Sequence, residues 1–163
     1  MGITEYVAAR HTFRILICVI HDGINLGTLS LARRLHTAGT SVCGLYAHAT
    51  TTTDETLLSD YLISRDTLFM RIAQQYRIIL NICASGKTTL HPLIYIDGPS
   101  NVISAISNAF PSVEISSNVS GHNIRIAISE PGIDDACIRN YIADILIDIL
   151  LRLTGSISNS TGR

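Results

Sequence analysis

The stretch Phe13–Ala47 limits what this chain can fold into more than any other part of it. Arg14–Ile20 is an almost unbroken apolar run, the pattern of a strand covered on both faces. His21-Asp22-Gly23 interrupts the run. Leu26, Leu29, Leu31, Ala32 and Leu35 then recur with helical spacing and leave Arg33, Arg34 and His36 mostly on the outer side. Gly39 suits a helix stop, and Val42, Cys43, Leu45 and Tyr46 resume as a second strand. Strand, helix and strand joined this way form a parallel, right-handed βαβ unit.

The rest of the chain extends that unit. Residues 1–12 read as a short arm or edge element, and His48–Asp54 as a polar loop. Leu58, Tyr61 and Leu62, then Leu68, Phe69, Ile72, Ala73 and Tyr76, give apolar faces at helical spacing, with a restart at Ser64-Arg65-Asp66. Ile78–Ala84 is a third near-continuous apolar strand, and Leu93–Ile96 a fourth. Pro99-Ser100 opens a short helix. Val113–Ser117 and Asn123–Ser129 alternate in polarity, which predicts an antiparallel hairpin about the turn Asn118–His122. Asp134 and Asp135 start a last helix that ends near Leu153, before Gly155. The expectation is a single three-layer α/β domain over residues 1–155, with a mixed, mainly parallel sheet flanked by helices. Within it, residues 13–96 form a βαβαβ core and 97–155 a helix, β-hairpin and long helix, and 156–163 form a disordered tail.

A chain of 163 residues buries a real core, about two-thirds of its unfolded surface at this size. Its net charge of −1 excludes a strong field toward nucleic acid or acidic membranes. Only 15% of residues are charged, which fits either a partner covering apolar surface or a Ser/Thr-rich exterior. The four cysteines lie far apart, without a CxxC pair, and read as small buried hydrophobes in a reducing, cytoplasmic setting. No apolar run is long enough for a membrane span, and no signal peptide is expected. The last helix is apolar around most of its circumference through Ile138, Ile142, Ile145, Ile149 and Leu153, widened by Tyr141, Leu146, Leu150 and Leu151. A second copy of the chain, or the hairpin, is expected to cover its second side, with the second copy favoured.

Familiar catalytic motifs are absent. Ser85-Gly86-Lys87-Thr88 lacks the earlier glycine of a phosphate-binding loop, because position 81 is Asn inside a strand. No GxGxxG follows the first strand, and neither GxSxG nor HExxH occurs. No cofactor is expected. One positional group remains, because ligands of parallel sheets gather beyond the carboxyl ends of the strands. Those ends carry His21 and Asp22 with Asn25 behind them, then His48, then Ser85 and Lys87, with Asp97 a further candidate. Such a crest would serve a small ligand or substrate. The competing explanation is that loop residues are simply polar.

The order Arg14–Ile20, helix, Ala38-Gly39-Thr40-Ser41-Val42, strand, then Asp66-Thr67-Leu68 through Ala73-Gln74-Gln75-Tyr76 into Ile78–Ala84 carries a family resemblance. Residues 13–96 resemble the anticodon-binding domain of histidyl- and threonyl-type tRNA synthetases, found also in degenerate form in the tRNA-sensing translation-factor kinase. The loop and helix at 48–65 are longer than that family has, and the segment after Pro99 is additional. The resemblance implies a non-catalytic module that binds structured RNA, or a protein within a translation-linked complex. Arg33 and Arg34 would then contact phosphate. The alternatives are a small enzyme or ligand-binding protein working at the strand-end crest, and a structural or dimerisation domain.

Overall fold

The computed structural model describes residues 3–10, 12–22, 27–47, 54–85, 88–110, 113–118 and 123–160, with backbone alone at 3, 21–22, 46–47, 54–55, 115–118 and 155–160. Seven strands form one sheet. They are β1 (Ile3–Ala8), β2 (Ile15–Asp22), β3 (Ser41–Ala47), β4 (Ile78–Ala84), β5 (Ile94–Gly98), β6 (Val113–Asn118) and β7 (Asn123–Ile128). Their order across the sheet is β1-β3-β2-β4-β7-β5-β6. β3, β2, β4 and β7 run parallel, whereas β1 is antiparallel to β3 and β5 to β7. The α/β class and the mixed, mainly parallel sheet are as the apolar runs predict.

The helices are α1 (Gly27–Thr37), α2 (Asp54–Ile63), α3 (Leu68–Ile72, continued by a 3-10 turn at Ala73–Gln75), α4 (Ser100–Ala109), α5 (Glu130–Asp134) and α6 (Ala136–Ser160). On one face of the sheet, α1, α4, α5 and α6 pack over Ile15, Ile17, Leu80, Ile82, Ile96, Ile124 and Ile126. Leu58 and Tyr61 of α2 and Phe69 of α3 cover the other face, over Leu16, Cys18, Ile20, Cys43 and Leu45. That second layer lies over β2, β3 and β4. On the same face, the β7–β5–β6 half of the sheet presents half-buried Arg125, Tyr95 and Asp97 and exposed Glu114.

Local chemistry explains several boundaries. Gly39 has φ 119°, a left-handed turn that closes α1, and a Cβ there would stand 2.6 Å from the Phe13 ring. Gly44 lies opposite Tyr6 in the β1–β3 ladder, and the tyrosine ring occupies the space a side chain would need. The helical restart falls at Thr67 rather than at Ser64-Arg65-Asp66, since the Thr67 hydroxyl accepts from the Met70 amide at 3.2 Å. Asp135 accepts from the Ile138 amide at 2.9 Å at the start of α6.

Three expectations are corrected. The C-terminal hairpin is absent, because β5 inserts between β6 and β7, parallel to the first and antiparallel to the second. β7 is thereby a central strand, with Ile124, Ile126, Ala127 and Ile128 all buried. The residues after 97 thus supply two strands of the one sheet, and β7 rather than β5 lies beside β4. Finally, α6 continues past Gly155 to Ser160, into the predicted tail.

Candidate functional site

β3, β2, β4 and β7 point the same way, so their carboxyl ends share one rim. His21 and Asp22 are the last residues of β2, paired with Tyr46 and Ala47 of β3. β2 runs parallel to β4, which ends at Ala84 immediately before Ser85. Ser85 is buried, and its amide donates to the Ile128 carbonyl at 2.9 Å, joining the ends of β4 and β7. His21, Asp22 and Ser85 are therefore brought to one rim by backbone register. Asn25, His48 and Lys87 lie outside the described residues.

Asp97 does not join them. It sits on β5, antiparallel to β7 and paired with Arg125, and so lies toward the opposite end of the sheet. The sequence reading also missed Ser129, which follows β7 and is fully buried. Its hydroxyl accepts from the Leu93 amide at 2.8 Å and from the Thr89 hydroxyl at 3.0 Å. This serine fastens the 88–93 segment to the rim, with Thr88 donating to Glu130 at 2.5 Å beside it. Among the described residues, no group of three or more His, Cys, Asp or Glu could hold a metal ion.

Arg33 and Arg34 are exposed on α1, as expected. The Arg34 guanidinium is nevertheless engaged. Its Nε and Nη2 donate to the two Asp144 carboxylate oxygens at 2.8 and 3.0 Å, tying α1 to α6. His36 is half-buried, with Nδ1 2.9 Å from the Thr40 carbonyl. Arg34 and His36 are thus engaged within their own fold, while Arg33 stays exposed.

A second polar group was legible only in part. Cys43, Cys18, Asn81, Arg125 and Asp97 form one cross-strand row through β3, β2, β4, β7 and β5. Asn81, Arg125 and Asp97 line a cavity of about 250 Å³ with Leu62, Phe69, Asn123 and Ile124. Asn81 is 4% exposed, and its Nδ2 donates to the Ile124 carbonyl at 3.2 Å. Its Oδ1, and Oδ1 of Asp97, are buried and find no donor among the described residues. Leaving a buried acceptor unpaired costs about 1–3 kcal/mol. The sequence signal was a single Asn in the apolar run IILNICA; that it shares a row with Arg125 and Asp97 depends on register.

No protein-family model matches the chain, and no curated protein sequence matches it. Solved structures do. One is YNDL in a zinc-free apo form, with 12% identity, 90% of this chain and 89% of that chain covered, and a TM-score of 0.65. A bacteriophage poly-gamma-glutamate hydrolase has 10% identity, with 95% and 92% covered and a TM-score of 0.66. The catalytic domain of an endolysin targeting Clostridia difficile has 13% identity, with 85% and 96% covered and a TM-score of 0.50. At such identities the likeness is one of fold. It spans nearly the whole chain, including the segment after Pro99 that the anticodon-binding resemblance left over. That resemblance, with the RNA-binding and translation roles it implied, is overturned: the solved structures that share this fold over nearly the whole chain include a poly-gamma-glutamate hydrolase and the catalytic domain of an endolysin.

Proposed function

We propose that the chain is a hydrolase acting on amide-linked substrates at the rim formed by the carboxyl ends of β3, β2, β4 and β7. The observation that carries this is the near-complete overlap with a fold used by a poly-gamma-glutamate hydrolase and by the catalytic domain of an endolysin. Support also comes from the register that puts His21, Asp22 and Ser85 on adjacent parallel strand ends, where such sheets collect ligands. His21 is the residue assigned to acid–base work, with Asp22, Asn25, His48, Ser85 and Lys87 in binding roles.

Zinc enters because YNDL is described in a zinc-free form. Zinc sites take three or four nitrogen, sulfur or carboxylate donors. The described rim side chains are the hydroxyls of Ser85 and Ser129, with Glu130 bonded to Thr88. None of these described side chains is a nitrogen or sulfur donor, and no step is routed through zinc. A second reading is binding at the same rim without cleavage.

Purified protein incubated with poly-gamma-glutamate and with peptidoglycan fragments, with and without added zinc, tests both. Hydrolysis releases new amino groups, and His21→Ala abolishes that release while leaving the melting temperature unchanged. A substrate that raises the melting temperature without amine release selects binding alone. Neither response from either substrate would end the assignment of the rim.

A further inference from the structure

We propose that the cavity between β1 and α1 is a binding site for a small carboxylate with an apolar body. It has a volume of about 300 Å³. Leu29, Ala32, Arg33 and His36 recur at the spacing of one helical face and form its α1 side. Tyr6 and Ala8 of β1, with Val42 of β3, form its sheet side. Ala8 ends β1 and is paired with Val42, the second residue of β3. The cavity therefore lies toward the start of β3, away from the rim at its end, and nothing in it depends on hydrolysis there.

The walls and the one cation among them ask for a ligand of two kinds of chemistry. Leu29, Ala32, Ala8 and Val42 offer hydrocarbon, and the Tyr6 ring, spread over Gly44, continues that surface. Arg33 supplies the polar end. It is exposed, and its guanidinium has no ion pair or hydrogen bond among the described residues. Arg34, next in the chain, shows what such a group accepts when one is at hand, since its two donors hold both oxygens of Asp144. Arg33 lacks that partner, and its planar fork suits a carboxylate held through two parallel bonds. Long, solvated and unrestrained, its side chain can turn over the cavity it lines. The neighbourhood also tolerates an anion. Arg10 donates to the Thr37 carbonyl at 2.8 Å and so offsets the negative pole at the end of α1. The His36 Nδ1 carries a hydrogen, because the Thr40 carbonyl 2.9 Å away can only accept, and this bond fixes the ring in the wall. The volume is at the small end of the usual range for ligand pockets, roughly 300–1,000 Å³, so the apolar body is short. One free guanidinium beside a mainly apolar hollow matches the single charge of a carboxylate better than the two of a phosphate.

Thermal shift and calorimetric titration of the whole chain at constant ionic strength test this with four probes. They are 4-methylpentanoate, the neutral amide of the same shape, acetate, and inorganic phosphate. Only 4-methylpentanoate is expected to bind and raise the melting temperature. Arg33→Gln should weaken it by at least about tenfold, the loss of a charge-assisted pair, and leave the melting temperature of the free protein unchanged. Ala8→Leu should fill the cavity and abolish the response. Should that variant fail to fold, Arg33→Gln, at an exposed position, still decides. His21→Ala should leave binding intact, so that failure at the rim and failure here are read separately. Silence from 4-methylpentanoate would dismiss the site. Equal binding by the amide, or full affinity in Arg33→Gln, would overturn the role of Arg33. Equal binding by acetate or phosphate would overturn that of the apolar walls.

Discussion

Cys18 shows how a single residue type acquires a different physical role once it is placed. It is fully buried beneath the α2–α3 layer and paired across the sheet with Cys43. Burial, and then the neighbouring Cys43, push its thiol well above the ordinary value of 9.0. Cys43 moves the same way through burial, opposed in part by its contact with the Tyr61 hydroxyl at 3.1 Å, with Glu5 adding to the rise. The Tyr61 hydroxyl also accepts from the Phe69 amide at 3.3 Å and is itself pushed up, mainly by burial. A raised acid in the folded state keeps its proton while the unfolded chain loses its own. The associated stability is therefore complete below pH 9.0 and declines above it. Each buried thiol adds a slope of about 1.4 kcal/mol per pH unit in that window. Denaturant titrations from neutral pH to above 10 should show this decline, and Cys18→Ala should make it shallower. An unchanged slope in the variant would mean that Cys18 is not held protonated. That Cys18, Cys43 and Cys83 are buried was legible from their apolar surroundings. That Cys137, on α6, is exposed was not, because its helix turns it away from the sheet.

At the scale of elements, the chain was most legible where one segment determines its own state. Ile78–Ala84 is a strand over its predicted span, and strand, helix and strand follow one another from Ile15 to Ala47 as the apolar pattern requires. Partner choice was less legible. The alternation in Asn123–Ser129 was read correctly, since Ile124, Ile126 and Ile128 face the larger helix layer and Arg125 and Ala127 the other. Alternation names the faces of a strand but not its neighbours, so the intervening β5 could not be foreseen. The same limit hid the row Asn81–Arg125–Asp97, whose members come from three separate segments. It also hid the pair of Arg34 with Asp144, which lie far apart in the chain. That pair is solvent-exposed on both sides, so its coupling should be about 0.2–1 kcal/mol, toward the upper end because it is bidentate. A double-mutant cycle with Arg34→Ala and Asp144→Ala measures it. No coupling even at low salt, where screening is weakest, would show that α1 and α6 are held by apolar packing alone.

For the whole molecule, the open question is what surrounds α6. The sequence offered two covers for its second side, the hairpin or another chain. The structure supplies a third, because α1 and α4 flank the helix in the same layer. With them, Ile142, Ala143, Leu146, Ile149 and Leu150 are buried, and Ile138, Ile145, Ile147 and Leu153 are partly covered. No described helix is long and apolar enough to cross a membrane. The large apolar side chains still exposed on α6 are Tyr141 and Leu151, at 55% and 38%, among the described residues. Tyr141 also makes an edge-on contact with Phe110, at 6.2 Å between ring centres, beside an apolar groove lined by Pro92, Ile94 and Cys137. Homo-oligomerisation through this helix is accordingly a proposal with a narrow basis, since a stable interface covers about 800 Å² on each partner. It would have to centre on Tyr141 and the groove, because aromatic anchors in pockets carry most of the affinity in such contacts. Sedimentation at micromolar concentration should then show a dimer, and Tyr141→Glu should convert it to a folded monomer with an unchanged melting temperature at low concentration. A wild-type monomer would end the proposal and leave α1 and α4 as sufficient cover. A dimer that survives Tyr141→Glu would move the interface elsewhere, most simply to the exposed edge of β1 or β6, where unpaired backbone groups invite a second strand.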